Sequence, residues 1–446
     1  MKKSVSFLLA AAMVLAAFSG CSSSGAASAP AASTGGDASA AASDAAGSEE
    51  GGSTGKTTIQ FWHSMSGTNG DLTNQLVADF NASQDEIEVV ATYQGGYADA
   101  AAKAEQAIYA GQAPDILQVA QDNVGRLAAN GQFIDLLPYM EQDGIDPDDF
   151  VEAFVKDAYY DDQLVVVPYG RSAQMLYVNK TVLDELGCEI PTTWDELKEV
   201  ANKCVVKNGD EVTRYGLTMP FDQWYLFALV QQAGGSFFNE EETDLACIED
   251  GTLKKSFEFL RDLQSTGALY FNDPTNNQSG KMFTEGMAVM MFNSSGGIAG
   301  NTETIGDSFE MVVAPPLKDQ VTSMPTGGCG FGILSASQNQ DAAWDFVKWF
   351  IQDEKGGLAF VLGSGYLPFT ETMAQSEAIQ DLWSSNNNFK IAYDALQYGD
   401  DSYRITNLTP VIAEFRTCMQ AIMLDNGDID EALNTFREAT QIALAE

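Results

Sequence analysis

The chain has 446 residues, 45% of them hydrophobic, and carries 63 acidic against 23 basic side chains, a formal charge of −40. A field of that sign repels nucleic acid and anionic lipid surfaces, so a nucleic-acid partner is excluded. One histidine, His63, and six cysteines without a CxxC spacing make neither a zinc site nor a disulfide framework, and no metal or cofactor is expected.

Met1-Lys2-Lys3 and an apolar run over 5–18 precede Cys21, and Ser, Ala and Gly dominate from there to Lys56. A charged start, a short apolar segment and small residues before the cut form a secretory signal. The run is too short to span a bilayer comfortably. Phe18-Ser19-Gly20-Cys21 resembles the lipobox of bacterial lipoproteins, with Phe18 where an aliphatic residue is usual. That resemblance implies a signal peptide over 1–20, acylation (palmitate) of Cys21 and a site of action on the extracytoplasmic face of the bacterial cell membrane. The alternative is a plain secretory signal with a stray cysteine. Residues 21–56 cannot bury enough apolar surface to order themselves. As a Gly/Ser-type coil they form a tether with a typical reach on the order of 30 Å.

The body, 57–446, is too long for one core and predicts two domains. Residues 58–62 alternate as a strand; Leu72, Leu76, Val77 and Phe80 then fall at helical spacing. Strands are expected at 87–91 and 114–119, with an Ala-rich helix over 98–109 between them. A second block opens near Pro168, with a strand over 174–178. Thr193 and Glu196 form a capping box at the start of a helix. Residues 281–291 read as a helix turning into a buried strand, and 309–315 and 329–335 as further strands. Ala343, Phe346, Val347 and Phe350 line one face of a helix over 341–351. Asp428 and Glu431 cap the last, amphipathic helix. Strands alternating with helices predict an α/β sheet covered on its faces. Of Cys188, Cys204, Cys247, Cys329 and Cys418, one pair, Cys188–Cys204, could bridge; buried free thiols are the alternative.

Several loops at strand ends combine glycine, small donors and aromatic faces. Phe61-Trp62-His63-Ser64-Met65-Ser66-Gly67 lies where a strand gives way to a helix, leaving backbone N–H groups unpaired towards a crevice; Trp62 serves equally as a core residue. Tyr93-Gln94-Gly95-Gly96-Tyr97, Tyr169-Gly170-Arg171-Ser172, Asn293-Ser294-Ser295-Gly296-Gly297, Gly327-Gly328-Cys329-Gly330 and Gly363-Ser364-Gly365-Tyr366 share that character. Glycines let a backbone approach a ligand, and aromatic faces stack on sugar rings. Singly each suits a tight turn; their recurrence in both halves points to binding. The acidic stretch 143–149 lacks the register of a calcium loop. Gly328-Cys329-Gly330-Phe331-Gly332 leads into a strand rather than out of one, unlike a dinucleotide loop.

Phe61 to Gly67, Tyr97 and Gly111-Gln112-Ala113-Pro114-Asp115-Ile116-Leu117-Gln118-Val119 resemble the extracellular solute-binding proteins of ABC importers, the maltose-binding-protein-like carbohydrate family. Within it the sn-glycerol-3-phosphate-binding subgroup is similar in Phe61-Trp62-His63-Ser64-Met65, Leu176-Tyr177-Val178-Asn179-Lys180, Thr193-Trp194-Asp195-Glu196-Leu197, Ser294-Ser295-Gly296 and Gly365-Tyr366-Leu367-Pro368. The resemblance spans the whole body. It implies a two-lobed periplasmic-binding-protein fold (type II, Venus-flytrap) with hinge crossings near Pro168, Ile305 and Asp353. The N-terminal lobe would then be 57–167 plus 305–352, and the C-terminal lobe 168–304 plus 353–446. It places ligand contacts on Tyr97, Ser172, Trp224, Ser294, Gly328 and Tyr366; Trp62, Ser64, Gln121 and Arg171 complete the candidate set. Two positions depart. Gln121 stands where a glutamate is expected, and the arginine expected near 407–415 has no counterpart, Glu414 or an apolar residue taking its place. That loss favours an uncharged sugar or polyol over a phosphorylated ligand, unless Arg171 substitutes.

The implied function is capture of a sugar, polyol or glycerol-3-phosphate-like solute by a lipid-anchored monomer and delivery to an ABC permease, without catalysis. The alternatives are a secreted glycoside hydrolase, which needs two carboxylates about 5–10 Å apart, and a surface sugar-sensing receptor.

Overall fold

The structure, a computed structural model, describes residues 55–401 and 404–445; the signal expected over 1–20, Cys21 and the tether as far as residue 54 lie outside them. The strands are β1 (Thr57–His63), β2 (Ile87–Tyr93), β3 (Ile116–Ala120), β4 (Tyr159–Tyr160), β5 (Gln163–Leu164), β6 (Val167–Asn179), β7 (Val206–Asn208), β8 (Glu211–Met219), β9 (Leu269–Phe271), β10 (Ala288–Ser294), β11 (Met311–Ala314) and β12 (Thr326–Ile333). In β1, Ile59, Phe61 and His63 turn inwards and the residues between them are more exposed, as the alternation predicts. Helices α1 (Gly67–Ser83), α2 (Tyr97–Tyr109) and α3 (Gln121–Ala129) follow β1, β2 and β3 in turn.

Ten strands join in one mixed sheet. The order is β2-β1-β3-β12-β6-β10-β8-β7, with β11 also on β6 and β9 on β8. β1 is parallel to β2 and β3, whereas β12 is antiparallel to β3 and β6. β6 belongs to both halves of the molecule. Its first part pairs with β12, Arg171 opposite Gly328 and Ala173 opposite Thr326. Its second part pairs with β10, Gln174 opposite Ser294 and Val178 opposite Met290. All 13 of its residues are buried.

Two hydrophobic cores lie along this sheet, and they are the cores of two lobes. The first gathers Phe61, Phe80, Phe331, Phe346 and Phe350; Tyr169 stacks on Phe331 with ring centroids 3.9 Å apart. The second gathers Leu217, Phe227, Phe257, Phe415 and Met419. The buried side chains divide differently from the boundary expected at 353. Phe360, Phe369, Phe389 and Leu396 pack into the first core, and only from Leu408 onwards does the chain join the second. The cause is local. At Gly356 and Gly357 the chain folds back so tightly on the preceding helix that a Cβ would lie 2.7 Å and 2.8 Å from the Phe350 carbonyl oxygen, which returns it to the core it has just left.

The caps read from sequence form as expected: Glu196 N–H donates to Thr193 Oγ1 at 3.2 Å, and Glu431 N–H to Asp428 Oδ1 at 3.0 Å. The Cys188–Cys204 bridge does not form. All five described cysteines are free and buried.

Candidate binding site

The site grows from the junction of β6 and β12. Opposite Ser172 and Arg171, β12 contributes Gly327 and Gly328, with a bulge immediately after Gly328. Gly328 has φ +114°, and a Cβ there would lie 2.1 Å from the Gly170 carbonyl oxygen. At Gly327 a Cβ would meet the Trp224 ring at 2.7 Å and Ser172 Oγ at 2.8 Å. Gly327 lets an indole from the other lobe lie directly on the strand, and Gly328 lets β12 pass close to Gly170 of β6. Trp224 belongs to the helix Gln223–Gln232, whose start is capped by Asp222. Its Nε1 donates to the Thr326 carbonyl at 3.1 Å, and Gln174 Nε2 donates to its own carbonyl at 2.6 Å. Trp224, Ser172 and Gly328 are thus brought together, with a contribution from each lobe.

Beside them lies a buried ionic cluster. Arg171 NH2 approaches both oxygens of Asp157, at 3.3 and 3.2 Å, and donates to Thr326 Oγ1 at 3.2 Å. Its guanidinium lies 5.0 Å over the Phe154 ring. Arg404 pairs with the same Asp157 and with Asp401, and donates to Gln121 Oε1 at 2.7 Å and to the Thr326 carbonyl at 2.9 Å. Asp401 accepts from Thr326 N–H at 2.9 Å and from its hydroxyl at 2.8 Å. The four charged side chains are between 3% and 10% exposed. Burial pushes the Asp401 carboxyl up to about 6, against the pull of Arg171 and the Thr326 hydrogen bonds; burial likewise pushes Arg404 down to about 9. A cavity of about 630 Å³ opens on this cluster, lined by Gln121, Asp157, Tyr160, Glu242, Asp401 and Arg404 among others.

A third group is phenolic. Tyr97, at the first position of α2, shares hydrogen bonds with Tyr366 and with the Cys329 thiol. Gln118 Nε2 donates to Cys329 Sγ at 3.1 Å and to the Tyr169 hydroxyl. Burial raises all three phenols and lifts the Cys329 thiol to about 11, so every one of them is a neutral hydrogen-bonding group. Gly296 lies against the ring of Tyr366, where a Cβ would be 3.4 Å from Cε1, and Ser294 Oγ caps the same turn by accepting from Gly296 N–H at 3.2 Å. Tyr97, Tyr366 and Ser294 therefore sit together.

Ser64 N–H donates to Gln118 Oε1 at 2.6 Å, which ties the β1–α1 turn to this phenolic group; its Oγ is buried without a hydrogen-bond partner among the described residues. Trp62 is half-buried and packs against the first core. Burial holds His63 below its usual range, hence neutral.

Arg404, Asp157, Asp401 and Thr326 escape the sequence reading. Arg404 stands three residues before the window 407–415, ahead of the helix Leu408–Met423 rather than in it. Glu414 faces a different groove, between that helix and the last one. The pair Asp401–Arg404, acid and base three apart, was the available signal.

Among the described residues no group of three or more His, Cys, Asp or Glu is arranged to hold a metal ion, and no helix is long and apolar enough to cross a membrane.

The Maltotriose-binding protein of Pyrococcus abyssi is 26% identical over 335 residues, which cover 73% of this chain and 70% of that protein. The sn-glycerol-3-phosphate-binding periplasmic protein UgpB of Brucella melitensis biotype 1 is 26% identical over 348 residues, 74% of this chain and 79% of that protein. Among solved structures, the GacH receptor of Streptomyces glaucescens is similar with a TM-score of 0.77 at 21% identity, covering 88% of this chain and 99% of that one. UgpB from Mycobacterium tuberculosis in complex with glycerophosphocholine is similar with a TM-score of 0.78 at 20% identity, with the same 88% and 99% coverage. At those identities the structural likeness establishes the two-lobed α/β fold. The sequence goes further: residues 75–387 match the profile of the bacterial extracellular solute-binding proteins, and the chain belongs to that family.

Proposed function

We propose that the protein is the substrate-binding lipoprotein of an ABC transporter, which captures a sugar, polyol or glycerophosphate-like solute between its lobes and hands it to the membrane permease. The observation that carries this reading is the meeting of Trp224 from one lobe with Gly327, Thr326 and Ser172 at the strand both lobes share. A solute held there touches both lobes. It favours closure only by the difference between its contacts in the closed and open forms.

In this reading Trp224 supplies the stacking face. Ser172, Ser294, Ser64 and the Gly328 backbone supply small donors and acceptors; Tyr97 and Tyr366 supply neutral phenols; Gln121 and Arg171 supply an amide and a cation. Trp62 stands at the rim. The relatives' names, maltotriose and sn-glycerol 3-phosphate, set the range of solutes to try. No bond is made or broken and no cofactor is used. Acylated Cys21 holds the monomer to the outer face of the membrane by lipid alone, and Cys21→Ala should move it from the membrane fraction to the medium.

The test is thermal stabilisation by a panel of polyols, monosaccharides, short oligosaccharides and glycerophosphates. A true ligand at a hundredfold excess over its Kd adds about 2.7 kcal/mol. Trp224→Ala should weaken that ligand by about 1–3 kcal/mol. Silence across the panel, or release of free sugar from a glycoside, would count against the proposal.

A further inference from the structure

Arginine is the side chain best shaped to clamp a phosphate or carboxylate, because its planar fork matches two oxygens at once. Two arginines, Arg171 and Arg404, converge beside the cavity, which on its face makes an anion site. Neither guanidinium is idle. Asp157 reaches both: each of its oxygens lies within 3.3 Å of Arg171 NH2, and Oδ2 also pairs with Arg404. Asp401 takes Arg404 from the other side at 3.3 Å. Two cations face two carboxylates inside one hydrogen-bonded cluster, and Asp122 and Asp400 add further negative charge around it.

Asp157 is also held in place. It sits on the short turn Lys156–Ala158, flanked by Phe154 and Ala158, both buried in the first core. An anion that took Arg171 NH2 and Arg404 NH1 would push Asp157 off two partners and leave it buried without either, which is strongly unfavourable. A hydroxylated neutral molecule makes no such demand. Its O–H groups can donate to the unused lone pairs of Asp157 and Asp401 while the ion pairs persist.

We infer that Asp157 is a specificity-determining residue, which keeps Arg171 and Arg404 paired so that the cleft takes an uncharged polyhydroxy solute and rejects its phosphorylated counterpart. This rests on the solute-binding reading above and narrows it. The rejection is a repulsive element built into the site rather than a missing attraction.

The experiment is calorimetric titration of the full chain and of Asp157→Asn with maltotriose, glycerol, sn-glycerol 3-phosphate and inorganic phosphate. Asparagine keeps the shape and removes the charge. The wild type should respond to a neutral compound and give no heat with either phosphate. The variant should gain at least about tenfold in affinity for the phosphates, a gain that weakens with added salt. If Asp157→Asn does not fold, Asp401→Asn frees Arg404 from its other carboxylate and should move phosphate affinity in the same direction. Binding of sn-glycerol 3-phosphate by the wild type as tightly as any neutral compound overturns the inference and leaves the solute-binding reading standing. A folded variant with no gain for phosphate overturns it too. A wild type silent to the whole panel counts instead against the solute-binding reading, while the phosphate titration of the variant still decides the role of Asp157.

Discussion

Gly328 has no room for any other residue. Its φ of +114° suits glycine alone, and a methyl group would overlap the Gly170 carbonyl. Gly328→Ala should cost at least about 2 kcal/mol in urea unfolding. Gly280, inside the helix Ser279–Thr284 and with nothing within 4 Å of its would-be Cβ, is the control. Gly280→Ala should be neutral or stabilising by up to about 1 kcal/mol. Equal losses at the two sites would remove the steric argument. Asp401 gives a second residue-level prediction. Burial first, then Asp400, raises its carboxyl to about 6, while Arg171 and Thr326 oppose the rise. The folded protein therefore holds that proton more tightly than the unfolded chain. Its ionised form costs stability above pH 6, and the cost lifts as pH falls from 6 towards 4. Relative to Asp401→Asn, the wild type should gain on the order of 1 kcal/mol between pH 7 and pH 5. The comparison cancels carboxylates of opposite sign, such as Asp143 and Asp244, whose hydrogen bonds hold them low in both proteins. A difference that is flat or runs the other way would show that Arg171 and Arg404 outweigh desolvation there.

Strand β6 is the element on which both lobes depend, and its pairing changes over from β12 to β10 after Ala173. There Ala173 N–H donates to Ser295 Oγ at 3.1 Å, and both residues are fully buried. Ser295→Ala leaves that donor unpaired and should cost about 1–3 kcal/mol of stability by denaturant titration; a loss under about 0.5 kcal/mol would mean the backbone finds another acceptor. The same strand shows what could be read from sequence. Residues 174–178 carry an ordinary apolar strand signal. Pro168, Gly170, Arg171 and Ser172 erase it over the first half, although Val167, Tyr169 and Ala173 there are buried in the first core. β12 behaves alike: its apolar part, from Cys329 onwards, is legible, whereas Thr326-Gly327-Gly328 reads as a turn and is in fact paired. Tyr97, Ser294 and Tyr366 are recognisable as a set only through family resemblance, since nothing in their spacing brings together three segments so far apart. Arg404 and Asp157 are missed for a related reason. A charge meant for burial looks, in sequence, like any other charge: Asp157 and Arg171 are 14 positions apart, and Arg404 and Gln121 are 283 apart. The return of 359–396 to the first core is equally silent, written in two glycines rather than in any change of composition.

At the scale of the whole molecule the dominant quantity is charge. The 63 acidic side chains outnumber the basic ones by 40. Many of the few cations are spent on exposed neighbours one helical turn away, such as Lys180–Asp184, Lys203–Glu199 and Lys390–Asp394. Pairs of that kind contribute little. The buried cluster at the cleft is balanced in itself and does not draw down the excess. What is left is a surface of like charges whose mutual repulsion works against the compact state. Salt should relieve it. Raising ionic strength from about 0.01 M to 0.15 M shortens the screening length from about 30 Å to about 8 Å, so the melting temperature should rise over that interval. Binding of an uncharged solute in the buried, charge-balanced cleft should barely change over the same range. Calorimetric melting and titration on one preparation read both quantities. A melting temperature that falls with salt would mean the acidic surface is locally compensated after all. Neutral-solute affinity that tracks the salt would mean the ionic cluster opens whenever ligand enters.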